Sequence, residues 1–136
     1  MFTTLPLPRY RDWGKLALRL AIAGIFLAHG SMKWALWSGS PPGMPAGMLA
    51  LFKILSIVEP LAAVAILLGM FTRGAALVLA IVMVGAIYTK IAVMHLPYAA
   101  GNALGWEFDA VILAGCLVLL FEGAGRYAVD AYRKNR

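Results

Sequence analysis

Residues 46–70 read AGMLALFKILSIVEPLAAVAILLGM, an apolar run broken only by Lys53, Ser56, Glu59 and Pro60 between Met48 and Leu68. About 20 such residues cross the ~30 Å hydrocarbon layer of a bilayer as a helix. Backbone groups in lipid must pair within their own segment, and the run is too long and too continuous for a barrel strand. A membrane-spanning helix is the reading. Inside it, Pro60 has no N–H to give the carbonyl of Ser56, which is left open to another donor. Glu59, one residue earlier, lies about 15 Å from the turn at Gly69, close to mid-membrane. An ionisable side chain there is costly and marks a functional site by default.

Working outward, three further apolar segments have similar length. The first covers about 14–37, flanked by Trp13, Trp34 and Trp37, which suit the two interfaces. The third covers about 73–96 and the fourth about 104–122. The linker SGSPPGMP, Ser38–Pro45, breaks helix with its prolines and glycines, and Gly69 ends the second segment before a tight turn. Gly123 and Gly125 end the fourth, leaving a basic tail over 123–136. The expected fold is all-α: a single-domain, integral membrane, antiparallel four-helix bundle. Gly24, Gly85 and Gly115 are candidates for close helix approach.

The bulk composition agrees. Of 136 residues, 62% are hydrophobic and 13% charged, and the mean hydropathy is +0.84. A soluble domain of this size exposes too much surface to hide that much apolar material. The formal charge of +6 does not point to nucleic acid, because the basic residues sit at the ends of apolar runs. Arg9, Arg11, Lys15, Arg19, Arg73, Arg126, Arg133, Lys134 and Arg136 fall on one side of four alternating helices. The positive-inside rule places that side, and both termini, in the cytoplasm. Cys116 is the one cysteine, so no internal disulfide or CxxC pair exists, and it reads as a small apolar filler.

The remaining ionisable groups within the spans are His29, Lys33, Lys53, Lys90, His95, Glu107 and Asp109. With Glu59 they gather in the half of the bundle away from the tail. His29 and Lys33 share a helix face at four-residue spacing, and Lys33 or His29 is the expected partner of Glu59 across the first two helices. Tyr88 and His95, seven apart, share another face. Glu107 and Asp109 point in roughly opposite directions, so at most one faces the bundle squarely. Lys53 and Lys90 read as lysines reaching out to the headgroups, Arg19 as one reaching to the cytoplasmic surface, and Asp109 as a solvated interfacial group. The two histidines lack HxxxH or HxxE spacing, and no metal, haem or flavin motif is seen.

Four stretches taken in order carry a resemblance: RLAIAGIFLAHGSMK (19–33), EPLAAVAILLGMFTR (59–73), GWEF (105–108) and GAGRYAVD (123–130). Together they resemble the DoxX family over about Leu16 to Asp130. The resemblance implies a small four-helix protein of the bacterial inner membrane. The family is named for likeness to the DoxD subunit of an archaeal thiosulfate:quinone oxidoreductase, and some members are linked to oxidative-stress responses. Its pattern maps onto His29, Gly30, Lys33, Glu59, Gly69, Arg73, Glu107, Gly125, Arg126 and Asp130.

Three functional readings follow. In the first, the chain is a multi-pass membrane component of a quinone-linked oxidoreductase. His29 and Lys33 hold the quinone carbonyls and Glu59, with His29, moves the accompanying proton, while Tyr88, His95 and Glu107 complete the ligand pocket. Electrons must then come from a partner. In the second, the chain is a non-enzymatic anchor or scaffold. Arg73, Arg126, Arg133 and Lys134 gather soluble redox proteins at the cytoplasmic face, and the buried charges form a structural ion-pair network. The third is a small carrier or lipid-binding protein, working as a homo-oligomer because four short helices make a meagre pathway.

Overall fold

The computed structural model describes residues 8–101 and 105–134, and among these every regular element is helical. Helix α1 spans Pro8–Met32 and runs on as a 3-10 turn over Lys33–Trp37. Helix α2 spans Ala46–Leu68, and α3 spans Thr72–Tyr88 and continues as a π-helical turn over Thr89–Val93. Helix α4 spans Glu107–Glu122, and a short α5 covers Val129–Lys134. The first helix therefore begins six residues before the expected start at 14, and the fourth begins at Glu107. Leu104, its expected start, lies outside the described residues, as does Arg136.

Three helical stretches are long and apolar enough to cross a membrane: Tyr10–Trp37, Ala46–Leu68 and Thr72–Val93. Helix α4, with 16 residues, is shorter. It packs antiparallel on α3, with Arg73 against the carbonyl of Phe121 at one end and Lys90 against Asp109 at the other. Helix α1 packs antiparallel on α2 in the same way, and the two pairs meet through smaller contacts. The faces turned away from the bundle carry Leu51, Ile54, Leu61, Ile81, Val84 and Val111, all exposed, as lipid contact requires.

Small residues bring the helices together. Ala23, Ala63, Ala76 and Cys116 are fully buried among Phe26, Ile66, Leu79 and Leu119. The glycines divide differently from expectation. Gly24 and Gly85 face open space, whereas Gly115 packs against Ile22 and Leu18. The tightest helix crossing is at Gly30, where an added Cβ would fall 2.5 Å from Cγ of Pro60.

The turn between α2 and α3 follows from Gly69. Its φ of +68° suits glycine, and it closes α2 with Gly69 N–H donating to Ile66 O and Met70 N–H to Ala65 O. Phe71 is also left-handed, at φ +51°, and precedes the first turn of α3. Its amide and that of Thr72 donate to the two carboxylate oxygens of Asp130, each at 2.9 Å. The residues after α4 are thus not a free polar tail. They fold back across the end of the bundle, and Asp130 N–H donates to Gly69 O.

Arg19 fastens this arrangement. It is 1% exposed and donates to four carbonyls: Ile66 and Leu67 at the end of α2, and Ala124 and Tyr127 after α4. The expectation that it reaches out to the membrane surface is overturned. The last carbonyls of a helix have no internal donor, and here a buried guanidinium supplies it.

Candidate functional site

The site begins where Gly30 lets α1 approach Pro60. One turn further along α1, Lys33 reaches the carboxylate of Glu59 at 2.5 Å, and Lys33 also donates to the carbonyl of His29. Glu59 is 3% exposed. Of the two partners expected for Glu59, Lys33 and His29, it is Lys33 that Glu59 meets. The carbonyl that Pro60 leaves open is also taken: the indole of Trp34 donates to Ser56 O at 2.9 Å. Trp37 donates to the hydroxyl of Ser56, which in turn donates to Lys53 O. These tryptophans, though largely exposed, bolt the 3-10 turn onto α2. Lys53 lies 5.3 Å from the ring centroid of Trp37, a cation–π contact.

A second ion pair lies between the π-helical turn and α4. The turn widens the helix, with Met94 N–H donating to Thr89 O, five residues back. Lys90 meets Asp109 at 2.6 Å and donates to Gly105 O at 3.2 Å. Lys90 does not reach out to the headgroups and Asp109 is not solvated; both expectations are corrected. Sequence reasoning named both residues but set them aside. The signal available was their matching depth, since both lie one or two turns from the ends of adjacent antiparallel helices.

Both pairs line one cavity of about 610 Å³. Its walls come from all four long helices and are mainly apolar, with Phe26 and Ile25 from α1, Leu51, Phe52 and Leu55 from α2, Ile81, Val82 and Met83 from α3, and Phe108 and Ile112 from α4. His29 and Tyr88 line it as well. His29 stacks on Phe108, with ring centroids 6.4 Å apart. Leu51, Ile81, Tyr88 and Met94 are exposed, so the cavity has an apolar rim facing the lipid side of α2 and α3.

Of the expected ligand residues, His29, Lys33, Glu59 and Tyr88 come together here. His95 and Glu107 do not line the cavity. His95 is exposed, at a left-handed φ of +52° just beyond the π-helical turn. Glu107 sits at the first turn of α4, where its N–H donates to Tyr98 O. One of its carboxylate oxygens is buried with no hydrogen-bond partner among the described residues. Asp109, two positions on, takes the inward direction that Glu107 was expected to hold.

A separate cleft of about 630 Å³ lies at the other end, lined by Arg73, Arg126, Asp130, Glu122 and the glycines around them. Of the four cations expected to serve partners, Arg73 and Arg133 make side-chain contacts within the chain. Arg73 donates to Phe121 O, and Arg133 lies 5.0 Å from the ring centroid of Phe71. The backbone N–H of Arg126 donates to Asp12, while its side chain is exposed. The side chain of Lys134 lies outside the described residues. Burial raises the pKa of Asp130, but the amides of Thr72 and Phe71 and the charge of Arg133 outweigh it and hold the carboxyl below its ordinary value.

The family model DoxX matches residues 14–95, more than half of the chain and the whole of the Lys33–Glu59 side of the cavity. An uncharacterized protein of Haemophilus influenzae is 27% identical over 132 residues, covering 91% of this chain and 93% of its own. An uncharacterized membrane protein of Mycobacterium tuberculosis is 31% identical over 138 residues, covering 89% and 82%. No solved structure matches the chain significantly. With three apolar helices able to cross a bilayer, the chain is a multi-pass membrane protein, and it belongs to the DoxX family.

Proposed function

We propose that this protein binds a lipid-soluble quinone in the cavity between its helices and serves as the membrane component of an oxidoreductase or redox-stress system in the bacterial inner membrane. The observation that carries the reading is the cavity itself. It combines a volume suited to a small-molecule head, mainly apolar walls, a rim facing lipid, and charged groups at its inner surface. A quinone ring needs apolar walls and hydrogen-bond donors at its carbonyls, and Lys33 and His29 are candidates for that role. Glu59, held against Lys33, is the candidate proton carrier. Electrons come from a partner protein, since the chain has no haem, flavin or dithiol motif of its own.

In this reading α4 completes a fourth crossing and both ends of the chain are cytoplasmic. The scaffold alternative draws less support, because Arg73 and Arg133 already make contacts within the chain. The test is chemical. Protein purified in mild detergent is extracted with organic solvent, and the extract is examined by mass spectrometry for quinone in stoichiometric amount. Added quinone should also raise the melting temperature of stripped protein, because a ligand selective for the folded state stabilises it. An extract holding only bulk phospholipid, with no thermal shift from any quinone, would refute the proposal.

A further inference from the structure

We infer that the cavity is a two-point clamp, Lys33 from the 3-10 turn after α1 and Lys90 from the π-helical turn after α3, which selects neutral ligands with two acceptor oxygens and excludes anionic amphiphiles. The inference rests on the reading of the cavity as a ligand pocket, sets Lys90 in place of His29 as donor to the second carbonyl, and adds which head groups fit and a role for Asp109.

The two ion pairs share a design. In each, the lysine is the more accessible member and the carboxylate the more buried, and all four side chains line the cavity. The side chain of Lys33 is 22% exposed against 3% for Glu59, and that of Lys90 is 20% against 10% for Asp109. The pairs belong to different helix pairs, one joining α1 to α2 and the other joining the π-helical turn to α4. The cavity is therefore offered two ammonium groups from separate helix pairs, each already neutralised by its own carboxylate.

Charge balance then decides the ligand class. With both lysines paired, the four groups sum to zero. A carboxylate or phosphate head entering this apolar space would leave one negative charge uncompensated, which burial makes costly. A neutral dione adds no charge. Its two oxygens accept from the one ammonium N–H that remains on each lysine after its ion pair and its bond to a backbone carbonyl, and such charge-assisted hydrogen bonds are stronger than neutral ones. A ligand with one acceptor engages only one lysine.

The experiment uses the full-length protein in detergent, stripped of lipid, and three probes with the same decyl tail: a 1,4-benzoquinone, a primary alcohol and a carboxylate. Affinities are read by competition against the quinone at pH 7.5. The dione should bind at least about tenfold more tightly than either other probe, the size of one good hydrogen bond. Lys33→Met and Lys90→Met should each lower dione affinity by about tenfold and leave alcohol affinity less affected. Since Lys90→Met strands Asp109, the paired variant Lys90→Met with Asp109→Asn is measured beside it, with its melting temperature recorded. It should fold and show the same loss.

Carboxylate binding as tight as dione binding would overturn the charge-balance argument while leaving the pocket intact. A paired Lys90/Asp109 variant that folds and binds dione like the wild type would reduce the clamp to one point and overturn the inference. Failure of all three probes to bind would sink the quinone proposal and this inference together.

Discussion

The indole of Trp34 donates to the carbonyl of Ser56, the acceptor that Pro60 deprives of its helical donor. A proline inside a membrane helix frees one carbonyl, and in lipid no water is available to satisfy it. Here the repair comes from the neighbouring helix, and it also fixes the 3-10 turn that follows Lys33. Trp34→Phe keeps the ring and removes the donor, so it should destabilise the protein by about 1–3 kcal/mol, the cost of an unsatisfied buried group. In a Pro60→Ala background the amide of residue 60 can serve Ser56, and the same Trp34→Phe change should cost clearly less. Denaturant unfolding of the four proteins in detergent gives the cycle. Equal losses in both backgrounds would mean that the indole contributes by packing alone.

The Lys33–Glu59 pair makes a second prediction. Removing one member of a buried pair strands the other and costs about 3–5 kcal/mol, whereas removing both is often near neutral. Glu59→Gln and Lys33→Met should each lower the melting temperature, and the double variant should recover much of the loss. Strictly additive losses would show that the two charges are stabilised independently.

The three longer membrane spans follow from hydropathy, and the shared face of His29 and Lys33 from their four-residue spacing; both are local properties, and neither says which of the two meets Glu59. The open carbonyl of Ser56 was legible too, but its donor was not, because Trp34 also suited an interface and no pattern distinguishes the two uses. Arg19 was misread for a related reason. An arginine near a helix end has the same sequence signature whether it reaches water or caps another helix. Only the folding back of residues 123–130 shows that carbonyls wait there. Lys90 and Asp109 were each seen singly, and the π-helical turn that aims Lys90 inward leaves no mark in an apolar sequence. Glu107 and Asp109 illustrate the limit of an ideal helix: at most one of the two could face the bundle squarely, and spacing alone could not say which.

The docked tail has a pH dependence with a definite sign. Asp130 is held below its ordinary pKa by the amides of Phe71 and Thr72, so it releases its proton more readily when folded than when free. A depressed carboxyl pKa contributes stability that is present above its unfolded value, about 3.9, and is lost as pH falls through the folded value. Tail docking should therefore hold at neutral pH and loosen on acidification below about pH 4. Trp13 stacks near Tyr127, with ring centroids 4.9 Å apart, and the tail residues can be followed by amide hydrogen exchange. Asp130→Asn should weaken docking at neutral pH and flatten its acid dependence. A tail that loosens identically with pH in both proteins would assign the transition to another group.

The last prediction concerns topology, and it tests the fourth crossing at the same time. Arg11 meets Glu122 across 3.4 Å, and Asp12 accepts the backbone N–H of Arg126. The start of α1 and the end of α4 therefore lie at the same end of the bundle. If only the three longer helices crossed, the segment after α4 would be left on the opposite side from the start of α1, and those contacts could not form. The cations Arg11, Lys15, Arg73, Arg126 and Arg133 gather at the shared end, and the positive-inside rule predicts a cytoplasmic location for it. A cytoplasmic reporter fused after Arg136 should be active and a periplasmic one silent, with the reverse pattern for reporters inserted within Ser38–Pro45. The same reporters at the N-terminus should match the result at the C-terminus. Opposite sides for the two ends would remove α4 as a span. A shared periplasmic location would keep the four-helix bundle and invert its orientation.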